Sequence, residues 1–247
     1  MSPTRRIGLQ VRRERYPIRG AFAIARGSKR EAEVVVAELS AAMADGRVAR
    51  GWGECVPYGR YGETVVGVVA QIEAMREQIG RGLGREALQT AMPPGAARNA
   101  LDCAFWDLDA KTTGQPVWRL AGLSEPRPVT TAYTLSLDTP VAMGRAAAER
   151  AHMPLLKLKL GNAPEDVARV AAVREAAPAA QLIVDANEGW TIEALTDLMP
   201  SLADLGVALI EQPLPADHDG DLAGFSSLIP IGADESCHDS RELAALA

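Results

Sequence analysis

Cysteine is scarce in this chain of 247 residues: Cys55, Cys103 and Cys237 are all it has, and no two of them form a C-x-x-C pair. An odd number of widely spaced thiols argues against a disulfide framework and against a zinc knuckle. Histidine is equally scarce. No two of His152, His218 and His238 lie within five residues of each other, so solvated or capping roles fit them better than a metal-binding pair. No run of eighteen apolar residues occurs, and no apolar stretch of signal-peptide length follows the basic N-terminus. The expectation is a soluble, reduced, cytoplasmic protein with no membrane partner. Basic charge is short too. With 26 Lys and Arg against 32 Asp and Glu, the net charge is −6, which leaves no electropositive footprint for nucleic acid. Six arginines crowd between Arg5 and Arg19, but Ile7, Leu9 and Val11 alternate among them. That is the pattern of a strand with one buried and one wet face, not of a polyanion site.

What remains is 47% hydrophobic and only 23% charged, enough apolar surface for one large domain or two ordinary ones. Two textures divide it. From Arg5 to about Gly53 the pattern is strand-like, with Val-rich Glu33–Leu39 and an Asp45-Gly46 turn leading into Val48–Gly53. From Glu63 to about Gly122 the spacing turns helical: Val65, Val68, Val69, Ile72 and Met75 recur at three and four, as do Ala97, Leu101, Ala104, Phe105 and Leu108. Pro93-Pro94-Gly95 separates the two helical stretches. Residues 1–126 therefore read as an α+β domain.

Residues 127–247 repeat a different unit. Apolar runs at Val129–Leu135, Leu155–Leu160, Leu182–Asp185, Ala208–Glu211 and Ile229–Asp234 alternate with helical segments at Val141–Ala151, Glu165–Glu175, Ile192–Leu205, Gly220–Leu228 and from Ser240 onward. The run ends at Thr134, Lys159, Asp185, Glu211 and Asp234 are 25, 26, 26 and 23 residues apart, the period of the βα unit in a parallel sheet. Five units are counted where a closed barrel has eight. The expected fold class is thus α/β, a barrel cut short after about five βα units; an open five-stranded sheet would satisfy the same count.

Lys157 and Lys159 are two residues apart on one strand and share a face. Asp185, Glu211 and Asp234 end the next three strands, and polar groups at the C-terminal ends of parallel strands converge on one mouth. Three carboxylates aimed at one point repel unless a cation lies between them, and hard oxygen donors suit Mg²⁺. A carboxylate held by Mg²⁺ can accept charge when its α-proton leaves, and a lysine beside another ammonium and a divalent cation has its pKa pushed down. Lys159 is the expected base; Lys157 is expected to tune it and to contact the substrate carboxylate.

These residues are also recognisable. Lys157-Leu158-Lys159, Asp185-Ala186-Asn187, Glu211-Gln212-Pro213 and Ala233-Asp234-Glu235-Ser236 resemble the signature of the enolase superfamily, in its muconate-lactonizing-enzyme subgroup. With Ile24–Ser28, Gly53–Tyr58, Arg60–Glu63 and Ala97–Asp102, the chain is similar to the dipeptide epimerases of the L-Ala-D/L-Glu branch. The resemblance implies an N-terminal capping domain over residues 1–126 and a (β/α)7β barrel beginning at 127, with Asp185, Glu211 and Asp234 as Mg²⁺ ligands. It implies Arg26 and Thr134 as substrate contacts, and Asn187 and Glu235 as groups that orient the ligands. The implied reaction is inversion of the glutamate α-carbon of a small dipeptide, L-Ala-D-Glu, in recycling of murein peptides, with self-association into a homo-oligomer allowed for. Family members carry a second catalytic lysine on the sixth barrel strand and an Asp-x-Asp motif beyond it, and neither lies within these residues. Other activities of the subgroup stay open: N-acylamino-acid racemase, o-succinylbenzoate synthase and muconate cycloisomerase. So does a non-catalytic fragment.

Other features are read as structural. Gly80–Gly84 follows a helix and reads as a helix stop, Phe105, Trp106 and Trp118 as core packing, and Cys237 as an inert thiol.

Overall fold

The computed structural model describes residues 6–24, 27–161 and 163–246. They fall into two units, one running up to Pro17 and over Glu31–Arg127, the other comprising Ile18–Arg30 and Pro128 onward.

The strands β1 (Ile7–Ile24), β2 (Gly27–Ala42) and β3 (Val48–Cys55) form a sheet in that order, and the first unit holds β1 up to Pro17, β2 from Glu31 and all of β3. Leu9 is buried, with Ile7 and Val11 packed beside the same core, as their alternation predicts. The arginines between them are spent on carboxylates of the same sheet: Arg13 and Arg15 on Glu33, at 2.7 and 3.3 Å, and Arg12 on Glu38 at 3.0 Å. Glu38 is buried and also accepts from Arg50 and from Trp52 Nε1. Burial alone would raise its carboxyl; the donors from Arg50, Arg12 and Trp52 outweigh it and hold the group below the ordinary range.

Helices α1 (Val65–Ala74), α2 (Arg76–Gly80), α3 (Arg85–Ala91), α4 (Ala96–Thr113) and α5 (Val117–Leu120) follow. The breaks come where the sequence places them: α2 stops at Gly80, Gly82 takes a φ of 102°, and Pro93-Pro94-Gly95 separates α3 from α4. Every second residue of β3, Ala49 to Cys55, faces inward, and all are small. That lets the α4 backbone come down onto the strand. A Cβ on Gly53 would lie 1.9 Å from the Ala100 carbonyl oxygen, and one on Gly51 2.3 Å from that of Ala104. Phe105 is core, as expected. Trp106 and Trp118 are only half-buried, stacked under Arg85 and Arg119 guanidinium groups at 3.6 and 5.0 Å from the ring centroids. An indole left partly exposed offers its face for a guanidinium to stack on.

In the second unit, β4 (Tyr133–Leu135), β5 (Leu155–Lys159), β6 (Gln181–Asp185), β7 (Val207–Glu211) and β8 (Ile231–Gly232) pair in parallel in chain order. Helices α6 (Pro140–Ala148), α7 (Ala163–Ala176) and α8 (Ile192–Asp204) alternate with the strands, and α9 (Ser240–Leu246) follows β8. Five consecutive strands in one parallel sheet fit part of a barrel. Thr139 and Thr191 cap α6 and α8 by accepting from Ala142 and Ala194 N–H, satisfying donors that the helix cannot.

Three expectations are corrected. The first run begins only at Tyr133. No α-helix covers Gly220–Leu228; a 3-10 turn at Ala216–Leu222 takes its place, because Gly224 adopts a φ of 77° and the Ser227 hydroxyl bonds the backbone of Ile229. The last strand is two residues long, so Asp234 lies beyond it in a turn closed by Cys237 N–H on the Asp234 carbonyl at 3.1 Å. No helix among the described residues is long and apolar enough to cross a membrane.

Gly53→Ala is expected to destabilise the first unit by about 3 kcal/mol, the upper end for overpacking, since the clash is with backbone. Gly59→Ala, at a position with open space around it, is the control. Denaturant melts of both variants check this.

Candidate active site

Register decides which side chains meet. Lys159 pairs with Asp185, Asp185 with Glu211 and Glu211 with Gly232, so these residues stand at one level across four strands. Two residues earlier, Thr134, Lys157, Ile183 and Leu209 share the level below. The residues between, Leu158, Val184 and Ile210, are buried completely in the core that includes Met143, Val170 and Leu195 of the helices. One sheet face is therefore apolar and helix-covered, and the other presents the charges. Alternation of neighbouring residues across a strand produces this division.

The charges touch. Lys159 Nζ donates to Asp185 Oδ2 at 2.5 Å. Lys157 Nζ reaches the same oxygen at 2.8 Å and both Glu211 oxygens, at 2.7 and 2.6 Å. Asp185 Oδ1 accepts the Asn187 N–H at 2.9 Å. Asp185 is completely buried and Lys159 nearly so, at 8% exposure. Burial pushes the Asp185 carboxyl up, but hydrogen bonds from Lys157 and Lys159 outweigh it and bring the group below its usual range. Lys157 answers in kind: burial disfavours its ammonium, while bonds to Asp185 and Glu211 win and raise its pKa. In this arrangement Lys157 is a firmly charged cation, not a depressed amine. Glu211 is raised, first by burial and then by the negative charges of Asp185 and Asp234, which Lys157 only partly offsets.

Desolvation is the main cause of the raised Glu211, and Asp234 is close enough to add to it. Among the described residues no three His, Cys, Asp or Glu side chains stand close enough to hold a metal as they are. The chemistry of the donor set nonetheless fits a hard cation: the donors are carboxylates only, and the space between Asp185 and Glu211 already takes a positive charge, the Lys157 ammonium.

Thr134 lies beside Lys157 in register. Asn187 and Glu235 are both buried and bonded to each other, Nδ2 to Oε1 at 3.3 Å, joining the loop after β6 to the turn after β8. Arg26 lies outside the described residues. His218 and His238 are exposed and bonded to Asp221 and Glu242, each at 3.1 Å.

Sequence reading misses three supports. Asp166 is completely buried and accepts from Gly161 N–H, Trp190 Nε1 and Arg169 Nη1, at 3.0, 2.8 and 2.9 Å. It clamps together the loops that follow Lys159 and Asp185. These loops meet backbone to backbone, since a Cβ on Gly189 would lie 2.7 Å from Gly161 Cα. Gln212 is buried beside Glu211. Phe22, from the segment that groups with this unit, places its ring centroid 6.0 Å from Lys159 Nζ. An acid early in a helix reads as a dipole partner, so nothing in the sequence marks Asp166 as a clamp.

The raised Glu211 carries a pH signature. Its folded pKa exceeds the unfolded one, so its contribution to stability is present below the ordinary carboxylate range and is lost as pH rises through the folded value. Glu211→Gln is therefore expected to be more stable than the parent at neutral pH without divalent cations, and equal to it at pH about 3, where the carboxyl is protonated in both states. Melting curves at the two pH values measure this.

Comparison with known proteins follows the same division. Residues 6–122 match the mandelate racemase / muconate lactonizing enzyme N-terminal domain, and residues 141–247 match the enolase C-terminal domain-like family. The L-Ala-D/L-Glu epimerase of Escherichia coli (strain K12) is 48% identical over 240 residues, covering 96% of this chain and 73% of that protein. An N-acetyl-D-glutamate racemase of Pseudoalteromonas sp. is 44% identical over 198 residues, 79% of this chain and 62% of the relative's length. Among solved structures, a dipeptide epimerase from Enterococcus faecalis V583, complexed with Mg and the dipeptide L-Leu-L-Tyr, superposes with a TM-score of 0.84 at 30% identity, covering 98% of this chain and 71% of that one. With both domain signatures present and close relatives that are epimerases and racemases, the chain belongs to the mandelate racemase/muconate lactonizing enzyme family of the enolase superfamily, among its isomerases.

Proposed function

We propose that this chain carries the cation-binding and proton-abstracting residues of a Mg²⁺-dependent epimerase that inverts the glutamate α-carbon of L-Ala-D-Glu by 1,1-proton transfer. The observation that carries the reading is the single level of Lys159, Asp185 and Glu211 across adjacent strands, with Lys157 between the two carboxylates. Asp185, Glu211 and Asp234 would hold the ion. Once bound, Mg²⁺ supplies the positive charge that offsets negative charge building on the substrate carboxylate as the α-proton leaves.

The chain's own groups do the rest. Lys159 Nζ takes the proton from one face of the α-carbon, in a position buried enough to exclude bulk water. Lys157 directs its ammonium to the substrate carboxylate, and Thr134 contacts the substrate from the neighbouring strand. Arg26 meets the side-chain carboxylate of the glutamate. Asn187 and Glu235 keep the ligand-bearing loops in place. The proton returns to the opposite face from a second group, which the resemblance places on the sixth strand of a (β/α)7β barrel, with an Asp-x-Asp motif for the dipeptide ammonium. On this reading residues 1–126 form the capping domain, and residues 127–247 are the first five βα units of that barrel. The cellular role is recycling of murein peptides in the cytoplasm.

A second substrate has support from a specific finding, the similarity to an N-acetyl-D-glutamate racemase. L-Ala-Glu and N-acetylglutamate are both N-acylated glutamates with the same α-carbon and the same side-chain carboxylate, so one base and one carboxylate-binding residue serve either.

Proton NMR in D₂O, with Mg²⁺ and each of the two substrates in turn, tests the proposal. Deuterium is expected at the glutamate α-carbon, faster with L-Ala-D-Glu. Lys159→Ala is expected to lower exchange by about 10²-fold or more while Mg²⁺ still binds in a calorimetric titration. Asp185→Asn, Glu211→Gln and Asp234→Asn should each weaken the ion. Undiminished exchange in Lys159→Ala rules out Lys159 as the base, and Mg²⁺ affinity untouched by all three carboxylate changes rules out the ligand set.

A further inference from the structure

Asp234 is the one proposed ligand that no strand holds. Gly232 occupies the level of Glu211 in the sheet, so Asp234 stands two residues past the last ladder pairing, exposed in a turn. Its distance from Glu211 must be set by something other than the sheet. The residue next to Glu211 does this.

We propose that Gln212 is the positioning residue that holds Asp234 against Glu211 and thereby completes the cation site; this rests on the assignment of Asp234 as a ligand. Gln212 is 2% exposed, and every hydrogen-bonding group it owns is used. Its N–H donates to the Gly232 carbonyl at 2.8 Å, and its carbonyl accepts the Glu188 N–H at 2.9 Å. In the side chain, Oε1 accepts the backbone N–H groups of Asp234 at 2.9 Å and Ser236 at 3.2 Å. Nε2 donates to the Leu214 carbonyl at 3.0 Å and to Ser236 Oγ at 2.6 Å. The two backbone N–H groups at one end and a carbonyl at the other fix which end of the amide is oxygen.

The backbone shows that this arrangement is held under constraint. Gln212 has a φ of 35°, and Asn187 and Glu188, in the loop it bonds, have φ of 46° and 66°. Non-glycine residues persist in that region only where surrounding contacts over-determine them. Six hydrogen bonds from one residue to the loops after β6 and β8 and to its own loop provide that. The side-chain amide thus ties the turn that bears Asp234 to the segment directly after Glu211, and the backbone of the same residue joins β8 and the loop that follows Asp185. The tie to Asp234 is made through an acceptor oxygen at the end of a side chain of one particular length. A shorter amide cannot span the gap, and an apolar chain of equal length spans it without an acceptor.

The test is calorimetric titration of the 247-residue chain with Mg²⁺ alone, for the parent, Asp234→Asn, Gln212→Met, Gln212→Asn and Gln212→Glu, each confirmed folded by circular dichroism at the titration temperature. Gln212→Met and Gln212→Asn are expected to weaken Mg²⁺ by about tenfold or more, as loss of a ligand-orienting partner does. Gln212→Glu keeps the acceptor for the Asp234 and Ser236 N–H groups and is expected to retain most of the parent affinity. A merely structural role would lower the melting temperature of the Met and Asn variants and leave the affinity of the folded protein alone. If either variant, folded, binds Mg²⁺ as the parent does while Asp234→Asn does not, the positioning role is overturned and the ligand set stands. If Asp234→Asn binds like the parent, the ligand assignment falls, and the role of Gln212 with it.

Discussion

Parallel pairing without a slip between β5, β6 and β7 at their C-terminal ends is the constraint on which the site depends. It sets Lys159, Asp185 and Glu211 side by side and Lys157 one level below. The period of a strand is two, so a shift of one residue would exchange the faces. Leu158, Val184 and Ile210 would enter the charged mouth, and the lysines would be driven into the helix-covered core. The apolar burial of those three residues is therefore what keeps the charges in place. A bulge between Leu182 and Ile183 absorbs a mismatch at the far end of β6, leaving the functional end in step.

The site is not arranged for stability. A buried carboxylate, Asp185, and a half-buried one, Glu211, share the lysines between them, and desolvation first, then the charges of Asp185 and Asp234, raise Glu211 above its ordinary range. The loops beyond the strand ends carry three non-glycine residues at positive φ, Asn187, Glu188 and Gln212. Charge frustration and backbone strain sit together where function requires groups to be held open for a ligand. Buried hydrogen-bonding hubs sustain the arrangement: Asp166 binds the loops after β5 and β6, and Gln212 binds those after β6, β7 and β8.

The first unit solves a different problem by simpler means. Its sheet and its longest helix approach closely because β3 offers only small residues on its inner face, and Gly51 and Gly53 admit the carbonyls of Ala104 and Ala100. The arginine-rich strand is neutralised by Glu33 and Glu38 of β2, so its high local charge serves cross-strand pairing.

Strand identity, helix breaks and the charged strand ends were legible in the sequence because each depends on neighbours at fixed spacing: alternation in Ile7–Val11, Pro93-Pro94-Gly95 before α4, and the repeating interval that ends at Lys159, Asp185 and Glu211. The stretch Gly220–Leu228 misled, because a local side-chain bond from Ser227 and the backbone freedom of Gly224 override helical composition. Asp234 looked like a strand end and is a turn residue, since the length of β8 is set by its pairing with β7. Asp166 had no sequence signal at all, and Gln212 stood in a recognised motif, Glu211-Gln212-Pro213, without its contacts being readable from it. A buried carboxylate or amide that bonds backbone groups from distant loops is defined by where those loops come to lie. The amino-acid order by itself fixed which residues carry charge and at what interval; the tertiary structure decided which of those charges touch, because contact across strands is a property of register and loop closure, not of spacing along the chain.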